Sequence, residues 1–65
     1  MKIRIYDHGS LALAKGLDDA GRQWITDTAP EDAQFTGDYM AIEPRCVAGF
    51  AQAALQAGAE IEVWS

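Results

Sequence analysis

The chain has 65 residues, ten of them Asp or Glu against five Lys and Arg, with one His and a formal net charge of −5. A chain this short buries only about 60% of its unfolded surface, so one small domain spanning 1–65 is expected and a deep enclosed active site is not. The hydrophobic share of 49%, with two each of Trp, Tyr and Phe, argues for a folded chain over a disordered one.

Cys46 is the single cysteine, which rules out an intrachain disulfide; with one histidine it cannot complete a structural zinc site. A reducing, cytoplasmic location fits this usage, with no cofactor and no metal. The N-terminal Met-Lys-Ile-Arg-Ile has no long apolar stretch, and nowhere do about 18 apolar residues run together, so neither a signal peptide nor a membrane span is expected.

Met1, Ile3 and Ile5 alternate with Lys2, Arg4 and Tyr6, the pattern of a strand with one buried face. Ser10 stands where a helix N-cap would. Leu13, Ala14, Leu17 and Ala20 follow as an apolar stripe that stops at Gly21, so the spacing predicts a helix over 11–20. Gln23 to Thr26, around Trp24 and Ile25, reads as a brief strand. Thr28 and Glu31 have capping-box spacing with Pro30 between them, which predicts a helical turn as far as Phe35 before "TGD" at 36–38 turns the chain.

Tyr39 to Glu43 reads as a strand, and Pro44 suits the first turn of a helix running to about Ala57. The inner stripe of that helix is Val47, Phe50, Ala51, Ala54 and Leu55, and Gly58 ends it. Ile61 and Val63 then alternate with Glu60, Glu62 and Trp64 in a C-terminal strand.

The order is βαββαβ, and the halves echo each other in "DAGRQWI" and "QAGAEIEVW". This predicts an α+β split βαβ sandwich of ferredoxin-like form, with two helices on one face of an antiparallel sheet whose central strands are the first and the 39–43 strand. The weak strand at 23–26 leaves open a βαβ pair with an irregular middle segment.

"YDHGS" at 6–10 places Asp7, His8 and Ser10 together, yet adjacency does not build a triad, because its members are usually assembled from separate parts of a fold. A turn closed by Asp7, freed by Gly9 and followed by a Ser10 cap accounts for each residue. A phosphate loop there lacks the glycine spacing and the following Lys, and Asp7 would repel the anion. Asp18/Asp19 and Glu31/Asp32 diverge on a helix and lack calcium-loop spacing. Cys46 near the start of a helix could be activated, but beside an apolar stripe it reads as a small packed side chain. No enzyme motif emerges.

Charge distribution is more informative. From Gln23 to Pro44 there is no Lys or Arg, while Asp27, Glu31, Asp32, Asp38 and Glu43 are acidic. Lys2 and Arg4 are expected to offset Glu60 and Glu62 on an adjacent antiparallel C-terminal strand. The uncompensated segment repels nucleic acid and membrane phosphate and attracts basic protein surfaces, although an acidic surface that serves solubility alone is the competing reading. Tyr6 and Trp64 fall on the outward phase of their strands and Tyr39 flanks the acids, where large aromatics anchor interfaces or cover a sheet end. Trp24 and Phe35 are expected in the core.

The expected function is therefore a non-enzymatic acidic protein-interaction domain. Asp27, Glu31, Asp32, Asp38, Tyr39, Glu43, Tyr6 and Trp64 are its candidate partner-binding residues, and the partner is a basic protein. Its sharpest form is an inhibitor that presents carboxylates where phosphates would sit on a nucleic-acid-binding surface. Small inhibitors of phages and mobile elements, some anti-CRISPR proteins among them, act this way as a class, and the likeness is one of size and charge. The alternative is a small-ligand or regulatory domain using the 7–10 loop. A homodimer through the 23–26 edge or the open sheet face is a further expectation for so small a domain.

Overall fold

Ile3 and Ile5 are fully buried, as their alternation requires, and lie on the second strand from one edge of a five-stranded sheet. The computed structural model describes residues 1–64. Its elements are β1 (Lys2–Asp7), β2 (Ala12–Gly16), α1 (Asp19–Thr28), β3 (Phe35–Thr36), β4 (Tyr39–Ile42), a 3₁₀ turn (Pro44–Cys46) leading into α2 (Val47–Gln56), and β5 (Glu60–Trp64). The sheet order is β3-β4-β2-β1-β5, antiparallel throughout except where β1 and β5 run parallel. The result is a small α+β domain with a mixed five-stranded sheet and two helices. This order replaces the expected ferredoxin-like antiparallel arrangement.

The largest departure lies at 11–28. The segment expected to form a helix over 11–20 instead returns as β2, making a hairpin with β1. Ala12, Ala14 and Gly16 alternate on its buried side, while Leu13 and Lys15 point the other way. Small residues are needed there because α1 lies directly on the strand: a Cβ at Gly16 would fall on the backbone of Arg22 and Gly21, and one at Gly21 on the carbonyl oxygen of Lys2. Gly21 is therefore a contact point in the first turn of α1 and not a helix stop.

Asp18 caps α1, its carboxylate accepting the Gly21 N–H at 2.7 Å, so Ser10 caps no helix. Gln23 to Thr26, expected as a strand, lies within α1, where Gly21, Trp24 and Ile25 share the inner face. Trp24 meets Phe50 of α2 edge to face at 5.5 Å, tying the two helices together. Thr28 ends α1. Pro30 to Ala33 forms a turn, closed by the Ala33 N–H donating to the Pro30 carbonyl at 3.0 Å, and not the expected helical turn.

The second half has the expected elements, although β2 separates β4 from β1, with which it was expected to share the centre of the sheet, and β5 runs parallel and not antiparallel to β1. Pro44 opens the turn into α2, Val47, Phe50, Ala51 and Ala54 face the core, and Gly58 (φ +94°) carries the chain out of the helix into β5. Leu55 and Phe35 were expected inside, but they are 58% and 48% exposed. Leu55 sits past the end of the buried stripe, and Phe35 occupies the two-residue edge strand, where no element covers it.

With α1 packed against β1 and β2, and α2 against β5, the helices cover the face of Ile3 and Ile5. The opposite face has no layer over it. Among the described residues no helix is long and apolar enough to cross a membrane.

Candidate functional site

Asp7 ends β1, and His8, Gly9 and Ser10 follow it in the β1–β2 hairpin loop. The Gly9 N–H donates to the Asp7 carboxylate at 3.0 Å, the Ser10 N–H to the His8 carbonyl at 3.0 Å, and Gly9 takes φ +80°. These are the bonds of a turn, with all four residues exposed and the His8 ring stacked on Tyr6 at 5.9 Å. No hydrogen bond joins the Asp7, His8 and Ser10 side chains among the described residues, and no group of three His, Cys, Asp or Glu there is placed to hold a metal ion.

The charges sort into pairs and remainders. Lys2 pairs with Glu60 at 3.9 Å, Arg4 with Glu62 at 3.1 Å, Arg45 with Glu43 at 2.7 Å, and Arg22 with Asp19. Lys2 and Arg4 stand against Glu60 and Glu62 as expected, but across parallel and not antiparallel strands. Glu43 leaves the uncompensated set because Arg45 meets it. The Asp18 carboxylate faces the terminal ammonium at 3.6 Å. Asp7, Asp27, Glu31, Asp32 and Asp38 have no ion-pair partner among the described residues, and four of these five lie in the 27–38 segment.

That segment flanks the edge strand β3: Asp27 in the last turn of α1, Glu31 and Asp32 in the loop before β3, and Asp38 in the turn after it. A groove of about 770 Å³ opens here on the helical side, between the 29–34 loop, the end of β4 and the start of α2. Met40, Ile42, Leu11 and Phe50 supply its apolar walls, and Asp32 stands among its lining with the paired Glu43 and Arg45. Asp38 instead lines a separate cleft of about 190 Å³ beside Arg22 and Thr26, and Asp27 accepts a hydrogen bond from Gln23 at 2.8 Å. The predicted acids thus do not line one cleft: Asp32 and Glu43 border the groove, and Asp38 borders the smaller cleft. Cys46, expected to be packed, is exposed on the groove wall.

The predicted aromatics lie elsewhere, on the uncovered sheet face. Tyr6 meets Trp64 at 5.7 Å and Tyr39 at 5.5 Å, both edge to face. Arg4 lies over the Trp64 ring at 4.4 Å, and Glu62 accepts from both the Arg4 Nε–H (3.1 Å) and the Trp64 indole N–H (2.9 Å). The Arg4 hydrogen bond, then that from Trp64, holds the Glu62 carboxyl below its ordinary range, and the same carboxylate raises the Arg4 guanidinium. A hydrogen bond with Tyr6 raises the Tyr39 phenol. Lys15 sits over Tyr39 at 5.2 Å.

Leu13 and Lys15 join this face only because 12–16 is a strand. Their signal in the sequence is the alternation of Ala12, Ala14 and Gly16 with Leu13 and Lys15, a period of two that the Leu13/Leu17 spacing masks. The groove walls have no local signal, since four separate segments supply them.

No protein-family model, curated protein or solved structure matches this chain.

Proposed function

We propose that this protein is a non-enzymatic binding domain for a basic segment of another protein, held in the acid-bordered groove between the 29–34 loop and α2. The observation that carries the reading is the meeting of apolar walls at Met40, Ile42 and Phe50 with the Asp32 carboxylate and the neighbouring Glu31, which have no cation of their own among the described residues. An apolar side chain of the partner fills the groove while its Lys or Arg neighbours meet these carboxylates, so that burial supplies affinity and charge supplies selection and encounter rate.

In its sharpest form the bound surface is one that otherwise holds nucleic-acid phosphate, and the domain acts as an occluding inhibitor. The net charge of −5 supports this form, since it repels nucleic acid itself. The test compares wild type with Glu31→Lys/Asp32→Lys as baits in a native lysate. Both positions are exposed and outside the core, so the variant keeps its fold, and a basic protein retained by wild type is absent from the variant. Equal retention by a folded variant refutes the reading.

A further inference from the structure

The uncovered sheet face is ordered in rows. Strand register places Trp64, Tyr6, Leu13 and Ala41 side by side across β5, β1, β2 and β4, an unbroken apolar row over four strands. The row beneath runs Glu62, Arg4, Lys15, acidic at the β5 end and basic at the β2 end. Arg4 and Lys15 are directly opposed like charges, an arrangement that disfavours the isolated sheet. Arg4 is answered by Glu62. Lys15 is the one Lys or Arg without a carboxylate partner among the described residues.

We infer that this face binds a second copy of the chain, sheet to sheet, about a two-fold axis parallel to the strands. Such an axis keeps each row at its own level while reversing its direction. Apolar row therefore meets apolar row, with Trp64 of one copy over Leu13 and Ala41 of the other. The charged rows meet in opposite sense, bringing Glu60 and Glu62 of one copy to Lys15 of the other and setting the two Arg4 side chains against each other near the axis, each beside its own Glu62. The aligned packing of two twisted sheets, about 10 Å apart and some 30° off parallel, has this geometry, and the interface is isologous, as a two-fold requires.

Two further features select a second copy as the occupant. Chains of charge −5 repel one another, and this face is where cations (Lys2, Arg4, Lys15) outnumber anions (Glu60, Glu62), so it is the side on which two copies approach at least cost. The other is a lean core, in which Ile3 and Ile5 are the largest fully buried side chains, so covering the aromatic row adds burial that the monomer lacks. The groove opens on the helical side and shares only Ala41 with this face, so it stays open in the dimer and the inference does not depend on what the groove binds. Strands about 4.8 Å apart and five residues long make a footprint of roughly 20 by 17 Å, below the standard of about 800 Å² per partner, so the dimer is weak and concentration-dependent.

Sedimentation equilibrium over a series rising to about 1 mM protein tests it. The mass of wild type climbs from 7.0 kDa toward twice that value. Lys15→Glu relieves the clash with Arg4 within one copy but opposes Glu60 and Glu62 of the other. It therefore melts no lower than wild type while dimerising at least about tenfold more weakly. Leu13→Asp, which interrupts the apolar row, stays monomeric. Should Leu13→Asp fail to fold by circular dichroism, Lys15→Glu decides alone. Wild type that remains at 7.0 kDa throughout, or a dimer of unchanged affinity in folded Lys15→Glu, overturns the proposal.

Discussion

Replacing Gly16 by alanine adds one methyl group at the place where α1 comes closest to the sheet. The new Cβ would fall on the backbone of Arg22 and Gly21, and neither can turn away as a side-chain tip would. Overpacking of this kind costs about 3 kcal/mol where the obstruction is backbone. A domain of this size has a total stability of roughly 3 to 10 kcal/mol, and each kcal/mol moves Tm by about 4 to 8 °C, so Gly16→Ala should lower Tm by roughly 12 to 24 °C. Gly49 is the internal control, since it lies within α2 with nothing near its missing Cβ. There alanine gains helix propensity of about 1 kcal/mol, and Tm rises by roughly 4 to 8 °C. Thermal melts followed by circular dichroism, with urea titrations to check two-state behaviour, read both. The two variants must move in opposite directions. If Gly16→Ala raises Tm as Gly49→Ala does, then 11–20 is a helix, as its Leu and Ala spacing alone suggests, and the packing of α1 on β2 is wrong.

Other outcomes follow from the same geometry. The Gly21 N–H holds the Asp18 carboxyl below its ordinary value of 3.8, so its charge favours the fold above that pH and the benefit is lost as pH falls through the depressed value. Asp18→Asn should therefore melt below wild type at pH 7, with the gap narrowing below pH 3.8. Glu62→Gln should loosen Arg4 and Trp64 together; in a Trp24→Phe background the remaining indole becomes more accessible to acrylamide, whereas unchanged quenching would mean that the Glu62 contacts do not order it. Phe35→Ser, at a 48% exposed edge position, should change Tm by no more than a few degrees, and a collapse in stability would place Phe35 in the core that the sequence suggested for it.

The elements legible in the sequence were those whose period and end signals agreed. In β1 the alternation of Ile3 and Ile5 with charged neighbours has one meaning, and in α2 Pro44, the 47/50/51/54 stripe and Gly58 all point to the same helix. Residues 11–28 misled because small residues carry two meanings. Alanine favours a helix by propensity, yet Ala12 and Ala14 lie in a strand because a helix must approach it closely, and Gly21 looks like a stop while serving the same contact. Trp24, Ile25 and Thr26 favour a strand locally, but the Asp18 cap and the packing of Trp24 on Phe50 outweigh that preference. As for the candidate site, the acids at 27–38 were visible as composition. Their separation into the groove and the smaller cleft, and the pairing of Glu43 with Arg45, depend on contacts that no linear spacing encodes.

The claim that a basic protein segment is held at the acid-bordered groove is tested most directly by calorimetric titration of the captured partner into wild type and Glu31→Lys/Asp32→Lys from about 50 to 500 mM salt. Affinity for wild type should fall steadily as salt rises, and the variant should bind weakly at every salt concentration. Affinity that ignores salt, or that survives the charge reversal, would contradict the claim.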